Sequence, residues 1–112
     1  TLGDPLADLA YALNPWPDPS DQRPITPDAA TSLPGFPGRG ELAERYAQRT
    51  GRDLSNLPYY IAFNRWKTAC IVHGVYARYM EGKKSTEGVD LDLLKSRIDL
   101  SLELADEAIQ KA

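Results

Sequence analysis

One cysteine, one histidine and one methionine are all the thiol, imidazole and thioether chemistry this sequence offers. Cys70 alone cannot form an internal disulfide or build a zinc site. It stands in an apolar run, where a free thiol is ordinarily a buried packing group. A lone unpaired thiol fits the cytoplasm. Cys70 and His73, three residues apart on one apolar helical face, read as two core neighbours rather than a nucleophile and its base. No His-x-x-x-His or Cys-x-x-Cys spacing offers a metal site, and no glycine-rich loop with its lysine offers a phosphate cradle. No apolar stretch approaches the roughly 20 residues needed to cross a bilayer; the best candidate, 61–80, is interrupted by Arg65, Lys67, His73 and Arg78. A basic footprint is missing too. The net charge is −3, which argues against a nucleic-acid or anionic-membrane partner.

What remains is helical. The 112 residues suffice for one small domain, and no segment shows strand alternation between turns. The expected order is a short helix, a long loop, and three further helices: an all-α chain of four main helices. Asp4 and Pro5 announce the first helix as cap and first residue. Leu6, Leu9, Ala10 and Leu13 give it one apolar stripe, and Asn14-Pro15 ends it. The loop covers 15–40 and holds seven of the nine prolines. A loop of this length is functional or disordered; Trp16, Leu33 and Phe36 are candidate anchors holding it on the helices. The second helix spans about 40–50, with Leu42, Ala43, Tyr46 and Ala47 inward, and Gly51 is its left-handed stop.

The third helix is expected from Ser55 or Pro58 to Glu81. It is apolar around much of its circumference, so it should be the central helix of the bundle. Cys70 and His73 fall on its inner stripe. Gly74 in its interior costs about 1 kcal/mol relative to alanine, so another backbone or a ligand should come close there. A polar turn, 82–88, leads to the fourth helix at about 90–111. Its inner face reads Leu91, Leu94, Ile98, Leu102, Ala105 and Ile109, with Arg97 and Ser101 outside.

The stretch Thr1-Leu2-Gly3-Asp4-Pro5-Leu6-Ala7-Asp8-Leu9-Ala10-Tyr11 carries more than a helix start. It resembles the segment that follows the magnesium-binding Asp-Trp-Glu motif in the aminoglycoside phosphotransferase superfamily. The nearest likeness is to bacterial homologues and to kinase domains fused to acyl-CoA dehydrogenases. The likeness continues through Gly35-Phe36-Pro37, Glu44-Arg45-Tyr46, 50–54, 60–63 and 74–78, and so covers most of the chain. It implies a C-terminal helical part of a kinase C-lobe, 1–112, with the ATP lobe and catalytic loop absent. The parent would transfer the γ-phosphoryl group of ATP to a hydroxyl of a small molecule, with magnesium. This chain alone would hold neither cofactor nor metal and would transfer nothing, because phosphoryl transfer rests on positioning and charge neutralisation by groups it lacks.

The resemblance gives Asp8 a role: a carboxylate that accepts hydrogen bonds from the catalytic-loop backbone and braces it. An Asp among Ala7, Leu9 and Ala10 needs partners if buried. The plain reading is an exposed Asp favoured by the helix dipole. Trp16, Arg65, Lys67 and Arg78 are candidates for a substrate wall that attracts an anionic or phosphorylated group; otherwise the cations snorkel or pair with neighbouring acids. Asp18 and Asp21 are the only acidic pair that a cationic substrate could use. An apolar face left uncovered should make the isolated chain a homodimer. The rival reading is a stand-alone helical interaction module, docking through its fourth helix or its proline-rich loop.

Overall fold

The computed structural model describes residues 3–24, 26, 28–82 and 85–112. Thr1 and Leu2 of the opening motif, Pro27 of the loop and Lys83 and Lys84 of the polar turn lie outside the described residues. The elements are α1 (Pro5–Leu13), a single 3-10 turn (Ala30–Ser32), α2 (Arg39–Thr50), α3 (Leu57–Met80) and α4 (Leu91–Gln110). Among the described residues there is no strand. The all-α expectation holds, and each main helix starts and stops within a residue or two of its sequence signals.

Those signals act as their chemistry requires. Asp4 accepts the Leu6 N–H at 3.0 Å and Asp90 accepts the Leu93 N–H at 3.0 Å, each satisfying a donor that the helix leaves free. Gly51 takes φ 69° and closes α2. The start of α2 is capped from outside: Asp18, in the loop, accepts the Gly40 N–H at 2.9 Å. The loop therefore passes directly over Gly38. A Cβ there would meet the Pro19 ring at 2.9 Å and the Asp18 carboxylate at 3.0 Å, so only glycine fits.

Leu13 sits at the centre of the core, fully buried with Ala10 and Leu57. Leu9, Leu42, Ala43, Leu54, Tyr60 and Ile61 pack around them and join α1 and α2 to the start of α3. The helices α3 and α4 run antiparallel: Tyr59 shares a groove with Ile109 near one end, and Val72 shares a concavity with Arg97 further along. The buried stripe of α4 is Ile98, Ser101, Ala105 and Ala108. Ser101, read as an outer residue, is only 3% exposed, while Leu102 and Ile109, read as inner ones, are 45% and 43% exposed. Small residues at 101 and 108 let the two helices approach closely; leucine and isoleucine one position on are turned aside.

α3 is the central helix, packing on both α4 and α1, but its expected burial is corrected in the same way. Only α1 and α4 pack on it to any extent. Tyr59, Phe63, Trp66, Ile71 and Met80 are exposed, as are Cys70 and His73. The buried positions are Leu57, Ala62, Asn64 and Ala69. Gly74 has nothing within 4 Å of where a side chain would begin, so no close approach explains it. In the loop, Leu33 and Phe36 are exposed rather than anchored, and Trp16 alone is tucked in.

Candidate functional site

The loop returns to the helices at one place, the junction of Trp16, Asp18, Asp21 and Arg39. Arg39 is the first residue of α2. Its guanidinium donates through Nη1 to the Trp16 carbonyl at 2.9 Å and to Asp21 Oδ2 at 3.0 Å, and through Nη2 to Asp21 Oδ1 at 2.6 Å. This is a two-pronged Arg–carboxylate pair, and both side chains are about four-fifths buried, 20% and 18% exposed. Trp16 Nε1–H donates to the Pro37 carbonyl at 2.8 Å, drawing the two arms of the loop together. Arg23 reaches Glu103 and Glu107 and ties the same loop to α4.

These bonds set the charges. The Gly40 N–H, then Ser20 through its hydroxyl and backbone, hold the Asp18 carboxyl at about 2. The Arg39 hydrogen bonds pull Asp21 below the usual carboxylate range, and Asp21 in turn keeps Arg39 more firmly protonated. The acidic pair that a cationic ligand could have used is thus spent on backbone and arginine. A carboxylate depressed in the folded state contributes stability above its unfolded pKa and loses it as pH falls. The midpoint of urea unfolding should therefore decline between pH 3.8 and about 2. An Asp18→Asn variant should show a shallower decline; parallel curves for the two proteins would contradict this role.

Of the expected substrate residues, the structure joins Trp16 and Arg65, which line one small cavity of about 20 Å³ with Asn14, Asp21, Arg39 and Leu104. Arg65 donates through Nη1 to the Leu104 carbonyl at 3.1 Å. Burial first, and the Arg39 charge second, lower its pKa. Lys67 is apart and exposed, its ammonium 5.9 Å from the centre of the Tyr11 ring. Arg78 is exposed in the last turn of α3 and joins none of these groups. Asp8 is exposed on α1 and takes no hydrogen bond or ion pair from the described residues. Its expected burial is not met within this chain. It shares its face with Tyr11, 67% exposed, and Ala12.

Two adjoining surface concavities open beside the junction. One, of about 430 Å³, is bounded by Trp16, Asp28, Thr31 and Arg97; the other, of about 310 Å³, by Tyr11, Asn14, Thr68, Val72 and Ser101, again with Arg97. Arg97, Asn14 and Thr68 were not singled out in the sequence. Arg97 looked like an outer helical charge and Asn14 like a helix stop, and nothing local distinguishes them. Both concavities are open to the surface, mostly apolar in lining, and share Arg97. Among the described residues no three His, Cys, Asp or Glu side chains converge as metal ligands.

The described residues form an all-helical chain with two open concavities beside the loop that Trp16 and Arg39 hold. Its relatives are acyl-CoA dehydrogenase family members. The chain is 31% identical to family member 11 of Gallus gallus over 121 residues, covering 98% of this chain and 16% of that protein. It is 33% identical to family member 11 of Homo sapiens over 78% of this chain and 11% of the relative. It is 34% identical to family member 10 of Mus musculus over 77% of this chain and 8% of the relative. The chain thus spans at most about one-sixth of the relatives it matches, 8 to 16% of their length. No family model matches the chain, and no solved structure matches it.

Proposed function

We propose that the chain is the C-terminal helical part of an ATP-dependent small-molecule phosphotransferase of the aminoglycoside phosphotransferase type. The observation that carries this reading is the unused face of α1. Leu9, Ala10 and Leu13 pack inward, whereas Asp8, Tyr11 and Ala12 face outward with Asp8 unpartnered among the described residues. A carboxylate beside an exposed aromatic ring suits a surface on which a catalytic loop docks and lends its backbone N–H groups. The names of the relatives speak of a dehydrogenase. The resemblance of this stretch to kinase domains fused to acyl-CoA dehydrogenases fits a relative that carries both activities on one chain.

The residues described here do not suit ATP and magnesium: the sequence has no glycine-rich phosphate cradle, no three potential ligands converge among the described residues, and the Asp18–Asp21 pair is taken up by backbone and Arg39. Both would be held by the preceding part of the parent. This chain would supply the bracing carboxylate and, through Trp16 and Arg97, one wall of the substrate cleft. The test is ADP release by the parent with magnesium and ATP, across sugars, amino alcohols, hydroxy acids and aminoglycosides. At least one class should accelerate release. An Asp8→Asn parent should lose about 100-fold in kcat, the size of effect that a small misplacement of catalytic groups produces. A folded parent that releases no ADP with any of these compounds would sink the reading.

The groove between α3 and α4, lined by Tyr59, Phe63, Trp66, Leu102 and Ile109, has a volume of about 360 Å³ and is almost wholly apolar. Trp66 is 52% exposed there. We infer that the isolated chain pairs with a second copy to cover it. Light scattering should give the mass of a dimer for the 112-residue chain, and Phe63→Glu should return a monomer. A wild-type monomer at high concentration contradicts the pairing.

A further inference from the structure

Among the described residues, two buried side-chain atoms lack a hydrogen-bond partner, and both belong to residues lining the small cavity under the loop. Asn14 closes α1 and gives its Nδ2–H to Thr68 Oγ1 at 3.0 Å. Its Oδ1 is buried and has no partner among the described residues. Arg65 uses Nη1 for the Leu104 carbonyl, and its Nε–H is buried without an acceptor. Both side chains line the same cavity of about 20 Å³. Native folds keep very few such groups, and each is expensive to leave unmade.

The two groups have complementary needs. One is an acceptor lacking a donor, the other a donor lacking an acceptor. Water is the smallest molecule that supplies both. A cavity needs roughly 10–15 Å³ to hold one, with two to four polar partners. The Asp21 carboxylate and the Arg39 guanidinium belong to the same wall and can complete the set. A bound cation would face Arg39 and Arg65; a bound anion would face Asp21 and the Asn14 carbonyl. A neutral molecule meets neither objection. The choice does not hang on which way the Asn14 amide points. Turned over, its Oδ1 accepts from the Thr68 hydroxyl, its Nδ2–H faces the cavity, and a water oxygen accepts from both asparagine and arginine.

We propose that this cavity is the site of one resident water, bonded to Asn14 and Arg65, that locks the loop 15–38 to the helices. Asn14 belongs to the end of α1, and Arg65 joins α3 to α4 through Leu104. Trp16, Pro17 and Pro24 of the loop contribute to the same wall. The site stands whether or not the parent is a kinase.

Water-to-protein NOE spectroscopy on the 112-residue chain is the test. The Arg65 Nε–H and the Asn14 side-chain amide should both show NOEs to water with the negative sign of a residence longer than nanoseconds. In Asn14→Ala the Arg65 water NOE should fall to less than half. In a high-resolution crystal structure, one water should lie within hydrogen-bond distance of both side chains. Absence of the wild-type NOE at Arg65, or a chloride or sodium ion in the density, would overturn the proposal. Should Asn14→Ala fail to fold, the wild-type NOE and the density decide alone.

Discussion

Replacing Leu13 with alanine should lower the unfolding free energy by about 3 kcal/mol, the middle of the range for a leucine cut back in a tight core. Leu13 is 0% exposed and is the largest side chain buried this completely. It forms one core cluster with Ala10 and Leu57, against which Leu42 and Ala43 of α2 and Tyr60 and Ile61 of α3 pack. These neighbours come from three directions, so collapse into the space is limited, and the cavity term adds to the lost transfer energy. Against a total of about 5–15 kcal/mol for a domain, the loss is large. Urea denaturation followed by circular dichroism measures it, with an unchanged m-value expected. Leu102→Ala is the control: that leucine is 45% exposed and should cost less than half as much. Equal losses at the two positions would mean that the core is not where α1, α2 and α3 meet.

Arg39→Met should cost about 2–3 kcal/mol. The figure sits below that for a wholly buried pair because about a fifth of each side chain remains exposed. Methionine fills much of the same space but leaves the Asp21 carboxylate and the Trp16 carbonyl without their donors. The loop should then detach from α2, and limited proteolysis should cut between Asp18 and Leu33 several-fold faster than in the wild type. Arg39→Lys should recover only part of the loss, since an ammonium cannot hold both oxygens of Asp21 in one plane. A Met variant as stable and as protease-resistant as the wild type would show that the loop is held by its prolines and Trp16 alone.

The helices were legible because their signals are local. Asp4 with Pro5, Asp90 and Gly51 do their work within four residues of where they stand. The faces of those helices were less so. Periodicity shows that Phe63, Cys70, His73 and Ile71 lie on an apolar helix, but not whether another helix covers them. Here α4 covers one side and α1 part of another, and Phe63, Cys70, Ile71 and His73 stay exposed. The shift of the α4 stripe from Leu102 to Ser101 has the same root, because a close helix crossing prefers small residues and a hydrophobicity pattern prefers large ones. The junction was legible only in its parts. Trp16 and Arg65 stand 49 positions apart yet share a cavity, and Arg39 meets Asp21 from 18 residues away. Asn14 read as a helix stop, which it is, while its second role depends on Thr68, 54 residues on.

Asp8 was expected to be buried and is exposed. That exposure is what the plain helix-dipole reading expects, and the bracing role requires another part of the parent to cover that face of α1. The most direct measurement is a crystal structure of the parent protein with ATP and magnesium. The Asp8 carboxylate within hydrogen-bond distance of backbone N–H groups in the loop that carries the catalytic base is the predicted result. A parent in which Asp8 stays in solvent, with that loop packed on some other surface of the chain, would contradict it.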